Sequence, residues 1–186
     1  MRIHVLSQLL KYDGSQMDTL WAHTMGIHGD SIVVFRGAMD VLDEHMKDLE
    51  DRQAGKKIAG SDLIHFIVEK FDSPASMRLA YLMQRLLLEC LVRALNEKGI
   101  NCARESGDVY VSGKKLTVSI ASAGVSSEKI HLGVNLSSRG VPRGVKAAGL
   151  FELGIDDWED VGKHVAQGFA DEMADIEGDI AKTRPL

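Results

Sequence analysis

Residues 111–121, "VSGKKLTVSIA", decide how this chain is read. From Leu116 onward an apolar, branched residue stands at every second position, the period of a β-strand. Ser112-Gly113 reads as a tight hairpin turn joining this strand to "DVYVSG" before it. Successive side chains of a strand point to opposite faces. The pattern therefore puts Leu116, Val118 and Ile120 on one face and Lys115, Thr117, Ser119 and Ala121 on the other, with Lys114 at the rim. A second stretch, "KIHLGVNL" at 129–136, repeats the design. Ile130, Leu132, Val134 and Leu136 share one face; His131, Gly133 and Asn135 share the opposite one.

The polar face of such a pair either meets water, as is common in antiparallel sheets, or lines a site. Wet faces usually carry long charged side chains. Here Ser119, Ala121 and Gly133 leave room, while Lys115, His131 and Asn135 supply donors. A mid-strand glycine often marks the close approach of a ligand or of another backbone. The combination suits a shallow floor beneath a bound anion or carbonyl.

Outward from these strands, "NCARES" and "DVYVSG" continue the two-residue period, and "RIHVLSQ", "DSIVVFRG" and "DLIHFIVEKF" read as further strands. The segment from Pro74 to Gly99 is the longest helix, apolar around most of its circumference between Leu79 and Leu95, which predicts burial against a sheet. "YDGSQMDTLWAHTMG" reads as a short helix stopped by Gly26, and "DVLDEHMKDLEDRQAG" as an acidic helix ending in the basic loop "AGKKIAGS". "SRGVPRGVKAAG" reads as a loop followed by a short helix, and residues 156–183 as an amphipathic helical segment. Helices and strands mix without regular alternation. The expectation is a single α+β domain over 1–186, its sheet mixed but mostly antiparallel, with helices on one face.

The totals agree with an ordinary folded protein. The 186 residues are 45% hydrophobic, enough to build a core without disulfides. A formal charge of -5 argues against a protein that coats nucleic acid. No run approaches the roughly 18 apolar residues of a membrane span, and the N-terminus does not read as a signal peptide, so a cytoplasmic location is expected. Cys90 and Cys102 are too few and too far apart for a disulfide framework or a zinc cluster. His23, His28 and His45 lack metal-ligand spacing, and His65, in "LIHFIVE", reads as a satisfied core histidine. The acidic residues between Asp40 and Asp51 form a solvated face or a Mg²⁺ site, of which the solvated face is the commoner. No metal site is expected.

"GDVYVSGKKLTVSIA" followed by "IHLGVNL" resembles the central part of biotin and lipoate protein ligase catalytic domains. Asp108, the segment Gly113 to Leu116, and Gly133 to Asn135 carry that resemblance, which spans mainly residues 104–136. Nearly end to end, through "YDGSQ", "FRG", "DLIHFIVEKFD" and "HLGVNL", the chain resembles a small family of uncharacterised bacterial and archaeal proteins related to that superfamily.

The resemblance implies the ligase-like fold and a set of roles. Lys115 would be the catalytic lysine, its ammonium stabilising charge on the carboxylate and phosphate of an acyl-adenylate. Asp108 would hold the hairpin or bond the ligand. Thr117, Ser119, His131, Gly133 and Asn135 would shape the floor. The partners would be a small carboxylic acid or acyl-adenylate and an acceptor protein, with ATP and Mg²⁺ as candidate co-substrates. A non-catalytic protein binding a nucleotide or acyl ligand is the alternative.

Two departures stand out. The ligases' arginine- and glycine-rich phosphate loop is missing; Arg36-Gly37 and "RQAGKKIAG" are its candidate replacements, and the strand-end Arg36 is preferred as the better fixed. The octanoyl transferases of the same fold, which "IHLGVNL" also resembles, place a nucleophilic cysteine somewhat later. Here that stretch reads "VKAAGLFELGI", with Ala147-Ala148 in its place.

Overall fold

The computed structural model describes residues 1–185. Two strands with branched residues at nearly every position form the middle of a sheet: β2 (Ser31–Asp40) and β3 (Ala59–Phe71). Both are buried on both faces, which explains the continuous apolar runs. With β1 (Arg2–Val5), β7 (Thr117–Ala123) and β8 (Ser127–Asn135) they make a five-stranded sheet in the order β1-β2-β3-β8-β7. Only the β1-β2 pair is parallel. A smaller sheet joins β4 (Ala103–Glu105), β5 (Asp108–Val111) and β6 (Lys114–Lys115). Ser112 and Gly113 both take positive φ, 49° and 72°, in the tight turn read from their sequence.

Among the described residues there are three α-helices: α1 (Leu49–Gln53), α2 (Met77–Glu97) and α3 (Trp158–Lys182). α2 and α3 cover one face of the sheet. Their Leu87, Leu91, Val165 and Phe169 join Ile32, Val34, Ile64, Phe66, Leu132 and Val134 in one fully buried cluster. α2 starts later than expected. Ser76, not the stretch before Pro74, is its N-cap and accepts from the Leu79 amide at 3.3 Å. α3 is capped by Asp157.

The opposite face is covered without long helices. Tyr12, Met17, Ala22 and Ile27 pack there on Val33, Phe35, Leu63 and Ile67. The helix expected at 12–26 is two 3-10 turns, Ser15–Met17 and Ala22–Met25, the second ended by Gly26 with φ 77°. The acidic helix expected at 40–55 shrinks to one 3-10 turn and the five residues of α1. Its first part is extended instead: Asp40 N–H donates to Tyr12 O, Val41 N–H to Ile58 O and Leu42 N–H to Asp13 O. Those bonds to distant backbone outweigh the local helical propensity of the segment. The short helix expected within 138–149 does not form: Ala147 is held in a parallel bridge to Lys115, and a single 3-10 turn follows only at Phe151–Leu153.

The alternation of β7 is a correction. Its register pairs Thr117 with Val134, Val118 with Gly133, Ser119 with Leu132 and Ile120 with His131. Paired residues share a face, so Thr117, Ser119 and Ala121 face the helices while Val118 and Ile120 join His131 and Gly133 on the far side. Leu116 also lies in the helix-side cluster. Two consecutive residues, Leu116 and Thr117, are thus directed inward. The cause is a change of partner. Leu116 N–H still donates to Val109 O of β5, while Leu116 O already accepts from Asn135 N–H of β8. Where the chain passes from one sheet to the other, the two-residue period slips by one, and every face beyond is inverted.

Candidate functional site

A cleft opens on the face of the sheet away from α2 and α3, in two adjoining chambers. One, of about 280 Å³, is walled by Lys56, Lys57, Lys115, Asn135, Val141 and Ala147 among others. The second, of about 210 Å³, is walled by Tyr12, His45, Asp108, Lys115, Ile120 and His131 among others. Met39, Asp51, Ile58, Lys115 and Val118 line both. Lys115 thus stands at the junction.

Local structure fixes this lysine twice. Its backbone is clamped between strands: Lys115 N–H donates to Lys146 O, and Ala148 N–H donates to Lys115 O. That short parallel bridge to Ala147 holds the segment "VKAAG" against β6. Its ammonium lies 2.8 Å from Asp108 Oδ2, across the hairpin, both side chains roughly a quarter to a third exposed. Asn135 supports the same place from β8. Its Nδ2 donates to Ala148 O at 3.1 Å and reaches Lys115 O at 3.5 Å.

His131 closes the bottom of the second chamber. Its Nε2 lies 3.0 Å from His65 Nδ1, and His65 Nε2 lies 3.1 Å from Gly37 O. The Tyr12 ring lies flat on His131, centroids 3.6 Å apart, and Phe35 stacks on His65. Burial pushes the His65 pKa down to about 4 and holds His131 well below the usual histidine range, with His65 adding repulsion at His131. His65 is the satisfied core histidine its sequence suggested.

The remaining expected residues sit elsewhere or act differently. Thr117 Oγ1 accepts from Val109 N–H at 2.8 Å. Ser119 Oγ donates to Gly107 O at 2.6 Å and accepts from Gln84 Nε2 at 2.8 Å. Both residues touch the cleft wall, but their hydroxyls serve the protein. Gly133 is not an open floor. A Cβ there would meet Leu63 Cδ2 and Val118 Cγ1 at 3.1 Å, so the missing side chain lets two apolar neighbours close.

Arg36 is the clearest correction. It shares the helix face with its cross-strand partner Ile64. Its guanidinium grips Asp62 through two bonds of 2.9 and 2.7 Å and lies over the Phe151 ring at 5.4 Å. The sheet separates it from the cleft. Lys56 and Lys57, the less favoured choice from sequence, line the first chamber instead. They pair with Asp51 at 2.6 Å and Asp40 at 3.6 Å, with side chains mostly exposed. Tyr12 was passed over, although "YDGSQ" was among the stretches that carried the family resemblance. Cys102 lies in the helix-side cluster beside Val92 and Asn96, so neither cysteine reaches the cleft.

Among the described residues, no group of three His, Cys, Asp or Glu side chains is placed to hold a metal ion, and no helix is long and apolar enough to cross a membrane. A larger groove of about 700 Å³ lies between α2 and α3, walled by Leu79, Leu82, Ile176 and Ile180. It gathers none of the expected site residues.

A family described as a domain of unknown function, DUF366, matches residues 1–184. The chain belongs to that family. The uncharacterized protein MJ0805 of Methanocaldococcus jannaschii is 42% identical over all of this chain and 86% of its own length. A solved protein of unknown function from Pyrococcus horikoshi is 41% identical, with TM-score 0.95 over 100% of this chain and 98% of that one. Beyond the family the likeness is one of fold. A lipoate protein ligase of Thermoplasma acidophilum shares 14% identity at TM-score 0.58, over 94% of this chain and 84% of that one. The biotin protein ligase of Aquifex aeolicus, a mutant in complex with biotin, shares 16% at 0.58, over 94% and 70%. The family is uncharacterised, and its fold is that of the ligase catalytic domains.

Proposed function

We propose that the chain is an acyl-transfer or ligase-like enzyme that binds a small carboxylic acid or its acyl-adenylate in this cleft. The observation that carries this reading is Lys115, fixed by Asp108 and by the bridge to Ala147 where the two chambers meet. The acid would lie in the histidine chamber with its carboxylate at Lys115, and a phosphate chain would enter the chamber of Lys56 and Lys57. Attack of the carboxylate oxygen on the α-phosphorus of ATP would expel pyrophosphate. Attack of an acceptor amine on the acyl carbon would then expel AMP. In both steps negative charge grows on oxygens beside the lysine, where a positioned cation acts most strongly. ATP with Mg²⁺ and an acceptor protein are the co-substrates this reading calls for, and Lys56, Lys57 and Lys115 fit the phosphates.

Carboxylate-dependent ATP–pyrophosphate exchange tests it. Exchange with one acid of a panel, lowered about a hundredfold in Lys115→Ala, supports the enzyme. One observation favours a binding protein instead: Arg36 is committed to Asp62, which leaves no arginine for the phosphates and, beside Lys115, two exposed lysines. That reading expects an acid or nucleotide to raise the melting temperature with no exchange by any acid of the panel.

A further inference from the structure

The histidine chamber ends on a donor and an acceptor that acyl transfer at Lys115 leaves unused. A carbonyl only accepts, so His65 Nε2, at 3.1 Å from Gly37 O, carries that ring's proton. Burial keeps His65 neutral, so its Nδ1 is a lone pair. His131 Nε2 at 3.0 Å must then donate to it, and since burial keeps His131 neutral too, His131 Nδ1 is left as a pure acceptor. Among the described residues nothing donates to this Nδ1, yet it is not one of the enclosed orphan atoms. It is open to the chamber that His131 lines. Tyr12, flat against it, lines the same chamber. Burial pushes the Tyr12 phenol up, so its O–H stays a donor, also without a protein acceptor among the described residues.

We propose that Tyr12 and His131 select an acid whose far end carries an N–H beside a C=O, as in a lactam, cyclic urea or amide. His131 Nδ1 accepts from the N–H and Tyr12 Oη donates to the C=O. A plain alkyl or dithiolane end would strip water from both groups and return no bond, which is how a polar pocket rejects an apolar rival. The inference rests on the reading of the cleft as an acid site and names the class of acid.

The test is calorimetry with two probes that share a pentanoate tail: biotin, whose ring is a cyclic urea, and lipoic acid, whose ring has no N–H. Wild type is expected to bind biotin about tenfold or more tightly than lipoic acid. Tyr12→Phe and His131→Phe should bring that ratio close to one, weakening biotin by the lost bonds and strengthening lipoic acid, whose ring no longer has to strip water from either group. Because His131→Phe removes the donor to His65 and could unfold the chain, ¹⁵N NMR of labelled histidines in wild type is the second readout. Biotin, and not lipoic acid, should move the His131 Nδ1 resonance. Equal affinities, or biotin binding with that resonance unmoved, overturn the selection and leave the acid site standing. If neither acid binds, the acid reading of the cleft falls and the selection falls with it.

Discussion

On the helix face of the large sheet, every polar group expected to meet a ligand is already bound. Thr117 holds Val109, Ser119 holds Gly107 and Gln84, and Arg36 holds Asp62. On the cleft face Asn135 is likewise committed, to Ala148 O, but the other polar groups are not. Lys115 has one carboxylate partner at a partly exposed junction, and Tyr12 and His131 keep one free polar atom each. The difference follows from what each face must exclude. The helix face buries Leu87, Leu91 and Phe169, and an unbonded hydroxyl among them would lose its water without return. The cleft face stays open to solvent at the chambers, so its polar groups can wait for a ligand.

The sharpest way to break this contrast is to damage each face and ask which property fails. Phe169→Ala removes a fully buried ring from the helix face. It should cost about 4 kcal/mol of stability, read from a urea midpoint, and leave acid affinity nearly unchanged where the chain is still folded. A drop in affinity as large as the drop in stability would mean the two faces are not independent.

Acid titration separates the faces by another route. His65 and His131 have folded pKa values below their unfolded ones. Below about pH 6.5 the unfolded chain takes up protons that the folded chain refuses, so stability is full above that pH and is lost as pH falls toward 4. For His65 the loss amounts to roughly 3 kcal/mol. The double variant His65→Leu, His131→Phe should show a flatter urea midpoint over that interval; an unchanged slope would assign the acid loss to carboxylates. Lys115→Ala should do the opposite of Phe169→Ala. About a hundredfold loss of exchange is expected, with little change in melting temperature.

How much of this was legible beforehand depends on what each residue's partner was. β8 read correctly because its nine residues run in one sheet, paired on both sides throughout. The same period failed at Leu116, since nothing local announces that a strand is leaving one sheet for another. Lys115 was nonetheless assigned to the cleft because it precedes the slip, and Ser119 lost its hydroxyl to the far side because it follows it. The expected acidic helix failed for a similar reason: Asp40 and Leu42 are held extended by the backbones of Tyr12 and Asp13, nearly thirty residues away. That Lys115, Asp108 and Asn135 line one cleft was legible through family resemblance, and the Tyr12–His131 stack, formed by residues far apart in sequence, was not.

Arg36→Ala makes the smallest change and bears on the phosphate site most directly. If the helix face is closed to ligands, this substitution removes one partly exposed ion pair with Asp62 and a contact over Phe151, about 1 kcal/mol or less of stability. ATP affinity and exchange should stay within twofold of wild type, whereas Lys56→Ala with Lys57→Ala should weaken ATP several-fold, more so at low salt because these side chains are exposed. The opposite result, ATP lost in Arg36→Ala and kept in the lysine variant, would require the guanidinium to leave Asp62 and the phosphates to lie across the sheet from Lys115. No reaction joining that phosphate to an acid beside Lys115 is possible through a packed sheet, so this single comparison decides whether the two chambers can work as one site.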